Sequence, residues 1–344
     1  MDKAQRIYSY VRDNYTCTGH SGLYMQGSLK NVFTKKNGNV TEINMLLTAM
    51  LSKAVLTAFP MILSTRENGA AYAFYPIIDM FNYTVCAFLD GDKYYYLDAS
   101  YPYLGFGKLD ASCYNGHARI LNQNVEPRGF FADSLKEKKM TTVMIATDDN
   151  GHLKATWKQT PTYFESCLLR EKIKQKGEDA YFKDAAKLFT GEVSLRNGKI
   201  GNLKEMEQPL QIEYEFDAQD DPKADVLYFS PMFSEAYKYN PFKSADRAYP
   251  VEMPYATDES LIMAIVVPEG YEADELPKSV RVNYGEDDGF FEYLVANTGA
   301  SIQMRCRIKM NRATFEPDEY NDLRSFYEVI VKKQAEQIVL KKKK

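Results

Sequence analysis

The segment that most limits how this chain can fold is Tyr83–Leu89 (YTVCAFL), the turn Asp90-Gly91-Asp92, and Tyr94–Asp98 (YYYLD). Two runs of β-branched and aromatic residues around a glycine turn specify an antiparallel hairpin. Strand side chains alternate with a period of two, so loop length decides which residues share a face. A three-residue loop suits Gly91 as its left-handed residue, and it pairs Leu89 with Lys93 and sets Asn82 against Ser100. Asp98 then shares the face of Asn82, and an Asn82–Asp98 hydrogen bond across the hairpin is expected. A two-residue loop would turn Asp98 to the other face. Tyr94 and Tyr96 are co-facial with Asp98, as core or as the lining of a groove.

Upstream, residues 4–15 and Ser28–Thr34 read as helices. Ile43, Leu46, Leu47, Met50, Leu51 and Ala54 then recur at the spacing of a buried helix face. Asn39 with Glu42 three residues on forms a capping box, which starts this helix at about Val40. Phe59–Thr65 reads as a strand. After about Pro127 the pattern changes. A second hairpin (Thr141–Thr147, His152–Gln159) turns at DDNG, and a long polar-faced helix covers Tyr163–Phe189. Beyond Gly191 come short strands: Leu210–Phe216, Leu261–Val267, Val280–Tyr284, Phe290–Ala296 and Ile302–Met310. Their regular spacing suggests a β-sandwich. A helix over Pro317–Gln337 follows, and the ending Leu340–Lys344 reads as a frayed, solubilising basic tail. Three parts result: a core domain over 1–126, a connecting hairpin and helix over 127–190, and a β-sandwich-like domain with a C-terminal helix over 191–344.

Net charge of −4 argues against nucleic acid or an anionic membrane as the main partner. No apolar run reaches the ~18 residues needed to span a bilayer, and no signal peptide is legible. The five cysteines, Cys17, Cys86, Cys113, Cys167 and Cys306, form no CxxC pair. Cys17 with His20, and Cys113 with His117, each supply half of a four-ligand zinc site, so neither a metal nor another cofactor is expected.

A helix N-terminus followed by a two-stranded base-and-acid hairpin is the plan of papain-like cysteine chemistry. The helix end favours a thiolate, a histidine on the sheet shares its proton, and a carboxylate orients the imidazole. At this point the sequence resembles a known superfamily. GNVTEINMLLTAML (Gly38–Leu51) resembles the G-x-C-x-x-x-A-x-L-L-x-A-L-L helix of transglutaminase-like proteins. FNYTVCAFLDGDKYYYLDASYP (Phe81–Pro102) resembles their H-A-W-V-x-V…D-G-x-W-x-x-L-D-P-T. Glu275–Val280 (ELPKSV) and the region from Phe315 to the end resemble the C-terminal β-rich part of envelope transglutaminase-like proteins of Gram-negative bacteria. The resemblance implies an α+β fold: a papain/transglutaminase-like core of N-terminal helices plus antiparallel sheet, then a β-sandwich-type domain with a C-terminal helix. It also implies periplasmic or outer-envelope localisation. Such relatives carry an N-terminal β-sandwich and an export signal, so this chain, which opens inside a helix, reads as a fragment.

Carried over by position, the resemblance puts Val40 in the nucleophile seat, Asn82 in the base seat and Asp98 in the acid seat, at intervals of 42 and 16 residues. Only the acid is retained, and a triad without nucleophile and base retains little catalysis. Three readings stand. The first is a catalytically inactive domain whose cleft, floored by Val40, Asn82 and Asp98, holds a peptide or glycan as a binding or scaffolding module of the envelope. The second is an active cysteine hydrolase or acyltransferase with a relocated thiol such as Cys86, or a Cys113–His117 dyad. The third is a purely structural piece of a larger envelope protein.

Overall fold

The computed structural model describes residues 1–75, 77–149, 151–189, 193–218 and 224–344. The fold is α+β, and the chain divides into two compact units. The first comprises Met1–Ser134 with Lys204–Gln208; the second comprises Leu135–Leu203 with Pro209–Lys344. The connecting part read from the sequence is thus shared out. Residues 127–134 belong to the first unit, and the hairpin and helices after them belong to the second.

The first unit begins with α1 (Asp2–Asn14) and the short strand β1 (Thr16–Cys17). Then come α2 (Leu29–Lys35), β2 (Asn37–Gly38) and α3 (Val40–Lys53). Strands β3 (Thr57–Leu63), β4 (Tyr83–Asp90), β5 (Lys93–Leu97), β6 (Asn115–Ile120) and β7 (Pro127–Phe131) form a sheet ordered β5-β4-β3-β6-β7, antiparallel throughout. The start of α3 is fixed as the sequence predicts. Asn39 Oδ1 accepts from Glu42 N at 2.9 Å, and Glu42 Oε2 accepts from Asn39 N at 2.8 Å. The other Glu42 oxygen accepts from Gln26 N and Gly27 N, which pins the preceding loop over the helix end. Gly38 is needed there, since a Cβ would sit 2.9 Å from the Glu42 side chain.

Strand β4 is buried on both faces. Cys86 and Phe88 pack towards Tyr8, Ile43, Leu47 and Leu51 of the helices. Tyr83, Val85 and Ala87 pack with Met61, Leu63, Ile120 and Phe130 in a second cluster that also contains Val40. The β4–β5 turn departs from the expected three-residue loop. Asp90 pairs with Lys93 and Leu89 with Tyr94, leaving Gly91 and Asp92 as a two-residue turn. Gly91 takes φ 60°, which a two-residue hairpin turn requires. The register moves by one, and with it every face assignment past the turn.

The second unit opens with the hairpin β8 (Lys136–Thr147) and β9 (Leu153–Thr160); its turn includes Asn150, which lies outside the described residues. The single long helix expected over Tyr163–Phe189 is two, α4 (Tyr163–Lys176) and α5 (Glu178–Ala186), broken where Gly177 takes φ 86°. Strands β10 (Arg196–Gly201), β11 (Gln211–Asp217), β12 (Val226–Phe229), β13 (Val251–Glu252), β14 (Ala256–Val266), β15 (Tyr271–Glu275), β16 (Val280–Tyr284), β17 (Gly289–Asn297), β18 (Ser301–Met310) and β19 (Thr314–Phe315) follow. The C-terminal helix α6 (Tyr320–Gln334) precedes β20 (Ile338–Lys342). Eight strands form one sheet ordered β10-β11-β9-β8-β14-β18-β17-β16, and β12-β20-β15 form a second. Leu323, Phe326 and Ile330 of α6 share one core with Met263, Phe291 and Ile308 of the large sheet. The expected frayed tail is partly structural. Leu340 is fully buried in β20, the central strand of the small sheet, because the apolar Ile338–Leu340 run precedes the lysines.

Candidate functional site

The three matched positions separate in the structure. Val40, the first residue of α3, is fully buried, and its backbone N–H donates to Gly19 O at 2.9 Å. Asn82 lies just before β4, and its amide turns to Thr65. Its Oδ1 accepts from Thr65 N, and its Nδ2 donates to Thr65 Oγ1, both at 2.9 Å. It is therefore a latch between the ends of β3 and β4, and the expected Asn82–Asp98 bond is absent. The one-residue register difference is the cause: Leu97 pairs with Cys86, so Asp98 meets the face of Tyr83 and Val85.

Asp98 is fully buried at the end of β5. Its Oδ2 accepts from Tyr83 OH at 2.7 Å. Its Oδ1 accepts from Asn44 Nδ2 and Ser100 N at 2.9 Å and from Ser100 Oγ at 2.6 Å. All four donors are neutral, so the buried charge is balanced by converging dipoles. Burial, reinforced by the charge of Asp98, pushes the Tyr83 phenol well above its ordinary range, which keeps it protonated as the donor. Asn44 ties the helix into this network. Its Nδ2 also donates to Thr84 O, and its Oδ1 accepts from Ala99 N, both at 2.9 Å. One turn after Val40, it is a fully buried amide flanked on the same helix face by the buried hydroxyls of Thr41 and Thr48. Polar side chains inside a buried helical stretch are the sequence signal of such a network.

A second group adjoins the first. Cys17 pairs in register with Gly38, two residues before α3. Its Sγ donates to Gly19 O at 3.3 Å and lies 3.7 Å from His20 Nδ1. His20 stacks on Tyr101 with ring centroids 4.1 Å apart, and its Nδ1 is 3.4 Å from Ser100 Oγ. The single Ser100 hydroxyl proton goes to Asp98 at the short distance. Ser100 Oγ therefore accepts from an Nδ1–H tautomer of His20, assigned from this network. In that tautomer Nδ1 has no lone pair for the Cys17 proton. Burial also pushes the Cys17 thiol up to about 11, which leaves about one thiolate in ten thousand at pH 7.

The other relocated-thiol candidates are enclosed. Cys86 is fully buried under the helices, and burial pushes its thiol up to about 12. Cys113 is buried and likewise raised. His117 accepts through Nε2 from Arg119 Nε at 2.8 Å, and burial together with Arg119 lowers its pKa. Among the described residues no group of three or more His, Cys, Asp or Glu side chains is arranged to hold a metal ion. No helix described is long and apolar enough to cross a membrane.

Residues 225–340 match a family model described as a domain of unknown function with solved structure (DUF3858). A search of curated proteins gives no match. A crystal structure described as a putative protease from Parabacteroides distasonis superposes with a TM-score of 0.56 at 14% identity. The superposition covers 99% of this chain and 52% of that one, so this chain spans about half the length of that protein. At this identity the likeness is one of fold.

Proposed function

We propose that this chain is a non-catalytic transglutaminase-like module that binds or scaffolds a peptide or glycan in the bacterial envelope, periplasmic or at the outer envelope. The motif resemblance alone supports the superfamily reading and the envelope assignment, and the fold likeness to a protein described as a putative protease is compatible with a protease-like core. One observation carries the loss of catalysis. Asp98 is saturated by neutral donors, the phenol of Tyr83 among them, while Asn82 in the base seat bonds Thr65 instead. A tyrosine held protonated cannot act as a base near neutral pH. Val40 has no nucleophile, and its N–H, which would face an oxyanion, is already bonded to Gly19 O.

Cys17 gives the competing hydrolase reading its best foothold, since the His20 imidazole lies 3.7 Å from its sulfur, with Ser100 and Asp98 behind. The experiment is site-resolved alkylation of the cysteines at about pH 6, with turnover assays on peptide and thioester substrates. The non-catalytic reading expects every thiol to react no faster than in the unfolded chain, and no turnover. Fast labelling of Cys17, with turnover lost in Cys17→Ser, would overturn it. Peptide and glycan arrays then address what the module holds; binding by neither class removes that half of the proposal.

A further inference from the structure

From Gly69 to Ile78 the chain runs ten residues without a charged side chain. Tyr72 (62%), Phe74 (92%), Tyr75 (68%), Ile77 (50%) and Ile78 (53%) are all solvent-exposed. Single exposed apolar residues are ordinary, but five within seven positions form a patch that calls for a partner. The feet of this loop are anchored. Asn68 Nδ2 donates to Met80 O at 3.0 Å, Arg119 Nη2 donates to Ala73 O at 3.1 Å, and Ala71 bridges Gly116. Ala71 and Phe81 pack on Ile62 in a small core of their own. Residues 69–75 and 77–80 are thus anchored through Ala71, Ala73 and Met80, while the five apolar side chains stay exposed.

We propose that this loop inserts into the interfacial region of an electrically neutral lipid bilayer, with Phe74 deepest and the Tyr72 and Tyr75 hydroxyls at headgroup depth. Two observations favour lipid over a folded partner. Phe74 is 92% exposed: a ring left almost wholly bare offers no recess for another protein's anchor residue, whereas a fluid layer closes around it. Its chemistry also matches the interface, where aromatic rings with one polar end concentrate. Charge selects the kind of lipid. The loop is uncharged, its flanks Arg66, Glu67 and Asp79 sum to −1, and the chain carries −4. Apolar burial rather than attraction to anionic headgroups must drive the binding. One such loop gives reversible attachment comparable to a single acyl chain, an association constant of order 10⁴ M⁻¹ or below. The inference does not depend on whether the Asp98 site turns over substrate.

The test is co-sedimentation of the full chain with phosphatidylcholine vesicles, comparing wild type with Phe74→Ser/Tyr75→Ser, whose exposed positions leave folding intact by circular dichroism. The expected result is measurable partitioning, insensitive to salt from about 50 to about 500 mM, and at least tenfold weaker in the double variant. A Phe74→Trp probe should blue-shift with vesicles, while the native Trp157, buried in the second unit, does not change. Three results overturn the proposal: no binding to neutral vesicles, binding that requires anionic lipid and disappears with salt, or a double variant that binds as well as wild type. Concentration-dependent dimerisation abolished by the double variant, without vesicle binding, would reassign the patch to a second copy of this chain.

Discussion

If Asp98 is structural, replacing it with alanine and with asparagine should give sharply different proteins. In Asp98→Ala four hydrogen bonds to a charged acceptor disappear, and Tyr83 OH, Ser100 N and Ser100 Oγ lose their buried acceptor. Bonds to charged groups contribute about 1.5–3 kcal/mol each but are not additive, and an unsatisfied buried donor costs about 1–3 kcal/mol. Some relaxation is available, since Tyr83 OH also reaches Ser100 Oγ at 3.2 Å and Asn44 keeps Thr84 O. The net expectation is a loss of roughly 3–5 kcal/mol, a large part of a typical domain's stability. Asp98→Asn keeps the shape. Its Oδ1 retains three donors, and its new NH₂ meets a hydroxyl at Tyr83 that can rotate to accept, so the loss should stay below about 1.5 kcal/mol. Because the chain has two compact units, a single global melt would blur the effect. Amide hydrogen exchange resolved over α3 and β4 isolates it, with β14 and β18 as an internal reference. Alanine should speed exchange in α3 and β4 by at least a hundredfold and leave the reference strands unchanged. Equal effects of alanine and asparagine, or no effect of alanine, would refute the structural role.

Tyr83→Phe removes one bond to the carboxylate and should cost about 1–2 kcal/mol by the same exchange measurement. Gly38→Ala drives a Cβ into Glu42 and should cost roughly 1–3 kcal/mol in urea unfolding, with exchange faster at the start of α3. Cys86 gives a pH prediction. Folding raises its thiol from about 9 to about 12, so the folded state holds the proton more tightly. Its contribution is complete below pH 9 and is lost as pH rises towards 12, at about 1.4 kcal/mol per pH unit. Between pH 9 and pH 11 the stability of wild type should therefore fall more steeply than that of Cys86→Ala, as read from urea midpoints; parallel curves would contradict it.

Local chemistry made much of the first unit legible. Asn39 and Glu42 announce the start of α3, and its apolar spacing identifies the buried face. The hairpin was legible as a hairpin but not in register, because D-G-D serves a two- or a three-residue turn. That one residue exchanged Asn82 for Tyr83 as the neighbour of Asp98. Asn44 acts through Thr84, Asp98 and Ala99, all distant in sequence, which periodicity does not encode. Gly177 sits inside a helical pattern, and only its φ of 86° shows that it separates two helices.

The second unit carries one pairing with a consequence for its birth on the ribosome. β8 lies parallel to β14, with Lys136 opposite Ala256 and Ile145 opposite Ile265. At about 5–20 residues per second, β8 and its hairpin partner β9 wait roughly 6–24 s for that neighbour to be synthesised. Through that interval the nascent hairpin has an open edge that could recruit another chain. Its opening residues Lys136, Glu137, Lys138 and Lys139 are charges that deter such pairing. In the folded unit Lys139 lies opposite Glu259 of β14 and forms an ion pair with Glu235 at 2.8 Å. The strand whose unfinished edge these charges guard thus ends inside the finished sheet, between β9 and β14.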